Sequence, residues 1–292
     1  VAVTAATIEQ VRANGLSFEV QTAGDPASDR LALLLHGFPE HAFSWRHQRP
    51  LFAELGYRVW APNQRGYGKS SKPTGVASYA IDALVADVAG LIDAAGARRV
   101  TLVGHDWGGL VAWEFAARKA RPLERLVIMN VPHPARFREE LASNPAQRKR
   151  SRYAAFFQLP WLPEWILRRK NAALIEQAFR GMAVDKSRFP DDVLAVYRQN
   201  VLQPGAATAM LNWYRAAGRG FGTLGTPTPI ETPTLLIWGE EDTALGKETT
   251  FGTERYVKDL CVRYLPKVSH WVQQEAPEEV NRILEEWLGR PA

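Results

Sequence analysis

The sequence contains a single cysteine, Cys261, among 292 residues. One thiol excludes an intramolecular disulfide and any cysteine-rich metal site, so the chain has no need of an oxidising compartment. Cys261 lies in an apolar strand pattern and is expected to be buried. No stretch approaches the roughly 20 apolar residues of a membrane span, and Val1 to Ile8 lacks both the basic start and the apolar core of a signal peptide. A cytoplasmic protein with no membrane span is expected. Internal repeats and low-complexity tails are also missing, which excludes a stacked repeat array. The formal net charge is only +5, and Arg148-Lys149-Arg150-Ser151-Arg152 is the densest basic run. With no second basic stripe beside it, the run reads as a solvated helix face, and nucleic acid is not expected as a partner.

What is present is an ordinary globular composition, 46% apolar, in a length that suits one large α/β domain carrying an insertion. Ile8 to Ala13 and Leu16 to Ala23 flank Asn14-Gly15 as an antiparallel hairpin. Leu31 to Leu35, Tyr57 to Ala61, Val100 to Gly104 and Leu126 to Met129 are short apolar runs of buried-strand type. Ser44 to Leu55 and Tyr79 to Ala95 lie between them with helical spacing, and a largely buried helix follows Asp106. This alternation predicts an α/β fold with a mostly parallel sheet and helices on both faces. From Pro134 to Pro229 the strands stop, and helices are expected around Tyr153 to Phe157, Trp165 to Arg180, Pro190 to Asn200 and Ala206 to Arg215. Strands return at Thr234 to Trp238 and Val262 to Leu265, and the helix Pro277 to Leu288 ends the pattern. The domain reading is a core over 1–133, a helical cap over 134–229 and the rest of the core over 230–292.

Gly104-His105-Asp106-Trp107-Gly108 has the form of a nucleophile elbow carrying aspartate. The strand-to-helix turn in such an elbow is too tight for side chains two places either side of the nucleophile, and glycine meets that need. Asp106, Asp242 and His270 follow in the order nucleophile, acid, histidine, each at or just after the end of a strand. Ligands bind outside the carboxyl ends of parallel strands, so all three are expected on one edge of the sheet. A carboxylate is ionised at neutral pH and can displace a leaving group from saturated carbon, forming an alkyl ester. His270, oriented by Asp242, would then activate water against that ester.

Four stretches carry a resemblance over nearly the whole chain: His36-Gly37-Phe38-Pro39-Glu40, Arg65-Gly66-Tyr67-Gly68-Lys69-Ser70, Gly104-His105-Asp106-Trp107-Gly108-Gly109 and Leu211-Asn212-Trp213-Tyr214-Arg215. With them the chain resembles α/β-hydrolases of the epoxide hydrolase and haloalkane dehalogenase group, most of all the soluble-type epoxide hydrolases. The resemblance implies an α/β-hydrolase fold, conversion of an epoxide and water to a vicinal diol, and neither a metal nor an organic cofactor. It implies an oxyanion hole from the backbone N–H groups of Phe38 and Trp107. It also implies cap tyrosines that donate to the epoxide oxygen, since a phenol stays protonated at pH 7. Tyr214 matches one of them. For the second, Tyr153 lies in the corresponding segment, but some members place the tyrosine nearer Phe156, and phenylalanine cannot donate. Either Tyr153 reaches the pocket, or one tyrosine serves, or the substrate is not an epoxide. Phe156, Phe157, Trp161 and Trp213 are expected as apolar pocket walls.

Two other readings use the same residues. A haloalkane dehalogenase shares the aspartate, acid and histidine but needs a second N–H beside that of Trp107 to hold halide, and Phe38 stands where an Asn would supply it. A catalytically silent ligand-binding protein would not require an intact Asp106, Asp242 and His270 set. The expected partners are a small lipophilic epoxide and water, with a homodimer left open.

Overall fold

A computed structural model describes residues 7–220 and 228–289. Strands β1 (Thr7–Ala13) and β2 (Leu16–Ala23) pair antiparallel across Asn14 and Gly15, whose φ angles of 48° and 72° suit the tight hairpin turn. Next come β3 (Arg30–Leu35), a 3₁₀ turn at Ala42–Trp45, α1 (Gln48–Glu54) and β4 (Arg58–Pro62). The single helix expected over Ser44 to Leu55 is therefore split. Pro50 has no N–H to donate, which is tolerated in a first turn but not inside a helix, so the helix begins at Gln48.

Helix α2 (Ile81–Ala95), β5 (Arg99–His105), α3 (Asp106–Ala117) and β6 (Arg125–Met129) complete the alternating part. Among the described residues six helices then intervene before the next strand: α4 (Pro134–Ser143), α5 (Pro145–Arg150), α6 (Arg152–Phe156), α7 (Leu162–Met182), α8 (Asp191–Leu202) and α9 (Ala206–Gly220). The sheet resumes with β7 (Thr234–Gly239) and β8 (Leu260–Leu265), followed by α10 (Val272–Glu275) and α11 (Pro277–Leu288). The strand order is β1-β2-β4-β3-β5-β6-β7-β8, antiparallel in the two pairs that involve β2 and parallel elsewhere.

Period-two alternation sorts the strand side chains into two cores. Leu33, Leu35, Leu102, Ile128 and Trp238 face α2, α3 and the inserted helices. Leu34, Val103, Val127, Met129 and Ile237 face α1 and α11. Because β8 lies at the sheet edge, Cys261 is only half-buried, contrary to the buried position expected for it.

Candidate active site

Strands β3 and β5 pair in parallel with Leu35 opposite Gly104, so the chain leaves both strands at the same edge. Asp106 turns directly from β5 into α3 with φ of 48°, a conformation that costs a non-glycine residue energy and marks a tight elbow. A Cβ on Gly104 would approach the Gly108 carbonyl oxygen to 2.6 Å, and one on Gly108 would collide with the Leu35 backbone. Both glycines are therefore required by close backbone approach. The loop after β3 passes beside the elbow, where the Phe38 N–H donates to Asp106 Oδ1 at 2.7 Å. The Trp107 N–H also donates to this carboxylate.

Asp242 follows β7 and His270 follows β8. His270 Nδ1 donates to Asp242 Oδ2 at 2.7 Å, and Nε2 lies 3.7 Å from Asp106 Oδ2. Asp242 accepts further hydrogen bonds from Asn130 Nδ2 (2.9 Å) and from the N–H groups of Ala244 (2.8 Å) and Leu245 (2.9 Å). Burial opposes ionisation of Asp242, yet His270 and these donors outweigh it and hold the carboxyl below its ordinary range. For His270, burial alone would lower the pKa, but the Asp242 and Asp106 charges push it up to about 9. Asp106 is itself raised by burial, against the pull of His270 and the two backbone donors.

Behind the elbow, the fully buried Glu40 accepts from the Gly37 N–H at 2.8 Å and meets His105 Nδ1 at 2.7 Å. Gln273 and Gln274 donate to its other oxygen, each at 2.8 Å. His105 Nε2 reaches the His270 carbonyl at 2.9 Å. This network ties together the loops that carry Phe38 and His270. Glu40 and His105 were quoted in the motifs above without this role, which only the meeting of three loops reveals.

Two cavities open on Asp106, of about 570 Å³ and about 330 Å³, and Tyr153 and Tyr214 line both. Tyr214, on α9, packs edge-on against Trp107 and Phe38 with centroids 4.8 and 5.3 Å away. Tyr153, on α6, lies 6.0 Å from the Tyr214 ring. Part of Tyr153 is exposed, but burial and the Asp106 charge push up the pKa of both phenols, so they stay protonated.

The expected pocket walls divide. Phe157 lines the smaller cavity beside Phe38, and Phe156 packs behind it without lining either. Trp161 is 74% exposed, because it lies in the surface loop that opens α7, so the expectation that it lines the pocket is corrected. Trp213 is corrected in the opposite sense: it is fully buried, with its indole donating to the Arg65 carbonyl at 3.1 Å. The sequence reading missed Phe137 and Leu141 in the larger cavity and Ile175 and Met182 in the smaller. A signal for α4, the helix that brings the first pair, was present. Pro134 at the first helical position follows the capping residue His133 and marks the start of α4.

A family model described as the alpha/beta hydrolase fold matches residues 33–277. An AB hydrolase superfamily protein, YfhM, of Bacillus subtilis is 39% identical over 279 residues, covering 95% of this chain and 96% of that protein. Epoxide hydrolase 4 of Mus musculus is 37% identical over 281 residues, with 94% of this chain and 77% of that protein covered. Among solved structures, the epoxide hydrolase of Bacillus megaterium in complex with an inhibitor superposes with a TM-score of 0.88 at 32% identity, covering 97% of this chain and all of that one. With its elbow, its eight-stranded sheet and these relatives, the chain belongs to the α/β-hydrolase family and, within it, to the epoxide hydrolase group.

Proposed function

We propose that the protein hydrolyses an epoxide to a vicinal diol through an ester on Asp106, with residues 134–229 acting as the cap. The observation that carries this reading is the approach of two protonated tyrosines, from α6 and α9, to the carboxylate at the elbow. A cytoplasmic location belongs to the same proposal; among the described residues no helix is long and apolar enough to cross a membrane.

The steps follow from the geometry. Oδ1 of Asp106 is held by the Phe38 N–H, which leaves Oδ2 to attack an epoxide carbon. As that carbon–oxygen bond breaks, Tyr153 or Tyr214 gives its proton to the departing oxygen. Ester formation removes the negative charge of Asp106, one of the groups that raise the pKa of His270. His270 thereby becomes able to take a proton from water, and the hydroxide adds to the ester carbonyl carbon. The oxyanion formed there develops against the N–H groups of Phe38 and Trp107. Collapse expels the alkoxide, which takes the proton of the added hydroxide to complete the diol and leave Asp106 ionised, and the His270 proton restores the tyrosine. Every group comes from one chain, so the chemistry needs no partner subunit. The indole N–H of Trp213 is committed to the Arg65 carbonyl, which leaves it unable to hold a departing halide.

The test is turnover of styrene oxide, an aliphatic terminal epoxide and 1-bromobutane, with diol and bromide read separately. Diol without bromide is expected; bromide without diol would replace this reading by dehalogenation. In the same assay Tyr214→Phe is expected to lower diol formation roughly 100-fold, the usual scale of general acid catalysis. Tyr153→Phe then reports whether one phenol serves or two: a comparable loss means both donate, and an unchanged rate means Tyr214 acts alone.

A further inference from the structure

Charge is distributed very unevenly along the chain. Between Pro145 and Asn171 there are seven Lys and Arg residues (Arg148, Lys149, Arg150, Arg152, Arg168, Arg169 and Lys170) and one acid, Glu164. This short segment outweighs the formal +5 of the whole protein, which leaves the remainder nearly neutral. Glu164 is bound to Arg215 and screens none of the seven. Arg150 alone has an acidic partner, Glu248, while Arg148 donates only to the carbonyls of Leu141 and Ala142. Among the described residues Lys149, Arg152, Arg168 and Lys170 have no acidic partner. The second basic cluster is on α7, where its last turn before the kink breaks into left-handed backbone at Lys170, Asn171 and Ala172.

The same segment holds a concentration of exposed large apolar side chains. Leu159, Trp161 and Trp165 are 45%, 74% and 54% exposed, and Leu174 follows at 37%. Arg169 lies over the Trp165 ring, 4.3 Å from its centroid, so cation and indole present one surface. Leu174 and other residues of the segment border the two cavities. Arg148, Arg152 and Gln158 line the larger cavity, and Arg150, Leu167 and Leu174 line the smaller. Helix α7 thus turns Trp165 to solvent and Leu167 into the site.

We propose that this cap face, Leu159 to Leu174 with the basic residues of α5 and α6, docks on an anionic lipid surface and places the cavity mouths against it. Indole rings favour the headgroup boundary, aliphatic side chains enter the acyl edge, and each Lys or Arg adds attraction to anionic lipid. A second copy of the chain fits less well, because a symmetric contact would bring seven cations against seven, of which Arg150 alone is paired with an acid. The consequence for the site is a direct route, since a lipophilic substrate dissolved in the bilayer reaches the cavities without crossing water.

The experiment is co-sedimentation of the purified protein with vesicles of phosphatidylcholine alone and of phosphatidylcholine with about a third phosphatidylglycerol. Binding to the anionic vesicles only is expected, weakening as salt shortens the screening length. Lipids brominated in the acyl chain should quench tryptophan emission, and Trp165→Ala should reduce that quenching. The double variant Arg168→Glu, Lys170→Glu should lower partitioning by roughly 30-fold or more, at about fivefold for each charge lost and further loss for each reversed. Its thermal midpoint and its turnover of a water-soluble epoxide should not change. Because binding is read without turnover, failure of the catalytic reading leaves this test intact. Absence of binding to anionic vesicles overturns the proposal, as does binding that the charge-reversed variant retains in full. A dimer in sedimentation equilibrium that Trp165→Ala dissociates also overturns it, since the face would then belong to a second copy.

Discussion

Asp106→Ala is expected to lower epoxide turnover by at least roughly 10⁴-fold while leaving the fold intact. The size follows from the division of labour at the elbow. His270 and Asp242 act only on an ester that already exists, so they cannot compensate for the missing carboxylate, and the tyrosines supply only a proton. The fold should tolerate the change because the tightness of the turn depends on Gly104 and Gly108. Alanine at φ of 48° is strained somewhat more than the aspartate it replaces, since aspartate is among the few side chains that tolerate left-handed backbone. Relief of a buried carboxylate whose pKa is raised by burial could even offset part of that strain. Rates of diol formation, compared with the thermal midpoint of both proteins, separate loss of chemistry from loss of structure. Appreciable residual turnover would remove Asp106 as nucleophile.

His270→Gln should divide the reaction. Attack by Asp106 does not need a base, so the ester forms, and its hydrolysis slows by roughly 10³-fold. One equivalent of epoxide is consumed, and intact-mass spectra should show the protein heavier by the mass of the substrate. Spectra showing only free protein at normal turnover would sink the two-step scheme. In the unsubstituted protein the hydrolytic step depends on neutral His270. Its pKa of about 9 in the free site falls once the ester removes the Asp106 charge. Hydrolysis should therefore rise with pH up to that lowered value, which lies below about 9, and decline as falling pH protonates the imidazole. In the glutamine variant this dependence disappears. Single-turnover rates of diol release across pH measure it directly.

The elements that position this site are those whose sequence signals are local. The apolar runs at Leu31–Leu35 and Val100–Val103 are short, β-branched or leucine-rich, and end in glycine motifs, so both strands and the loops after them are legible in sequence. Chain order alone then puts Asp106, Asp242 and His270 on one edge, where the structure brings them within hydrogen-bonding or near-contact distance. The cap is less legible, because its residues face either solvent or the site according to tertiary packing rather than local pattern. Trp161 and Trp213 have similar chemistry but opposite fates, one at the surface loop opening α7 and the other under Arg65. Nor does any glycine or proline announce the break in α7 at Lys170 to Ala172, since the left-handed residues there are ordinary helix formers or asparagine. The Glu40 network is illegible for a different reason: its members lie more than 200 residues apart in the case of Glu40 and Gln273, and periodicity carries no information at that range.

The single hydrogen bond from Phe38 to one carboxylate oxygen makes the two oxygens of Asp106 chemically unequal. If Oδ2 attacks and the ester is opened at its carbonyl carbon, that oxygen leaves within the diol and is replaced from solvent. Oδ1 stays behind. In water enriched in oxygen-18, the first turnover would yield an unlabelled diol and a protein carrying one heavy oxygen, and later turnovers would pass the label to product. A second heavy atom would enter only as fast as the carboxylate rotates between turnovers. Isotopic counting on the intact protein thus times the grip of the Phe38 N–H on its partner.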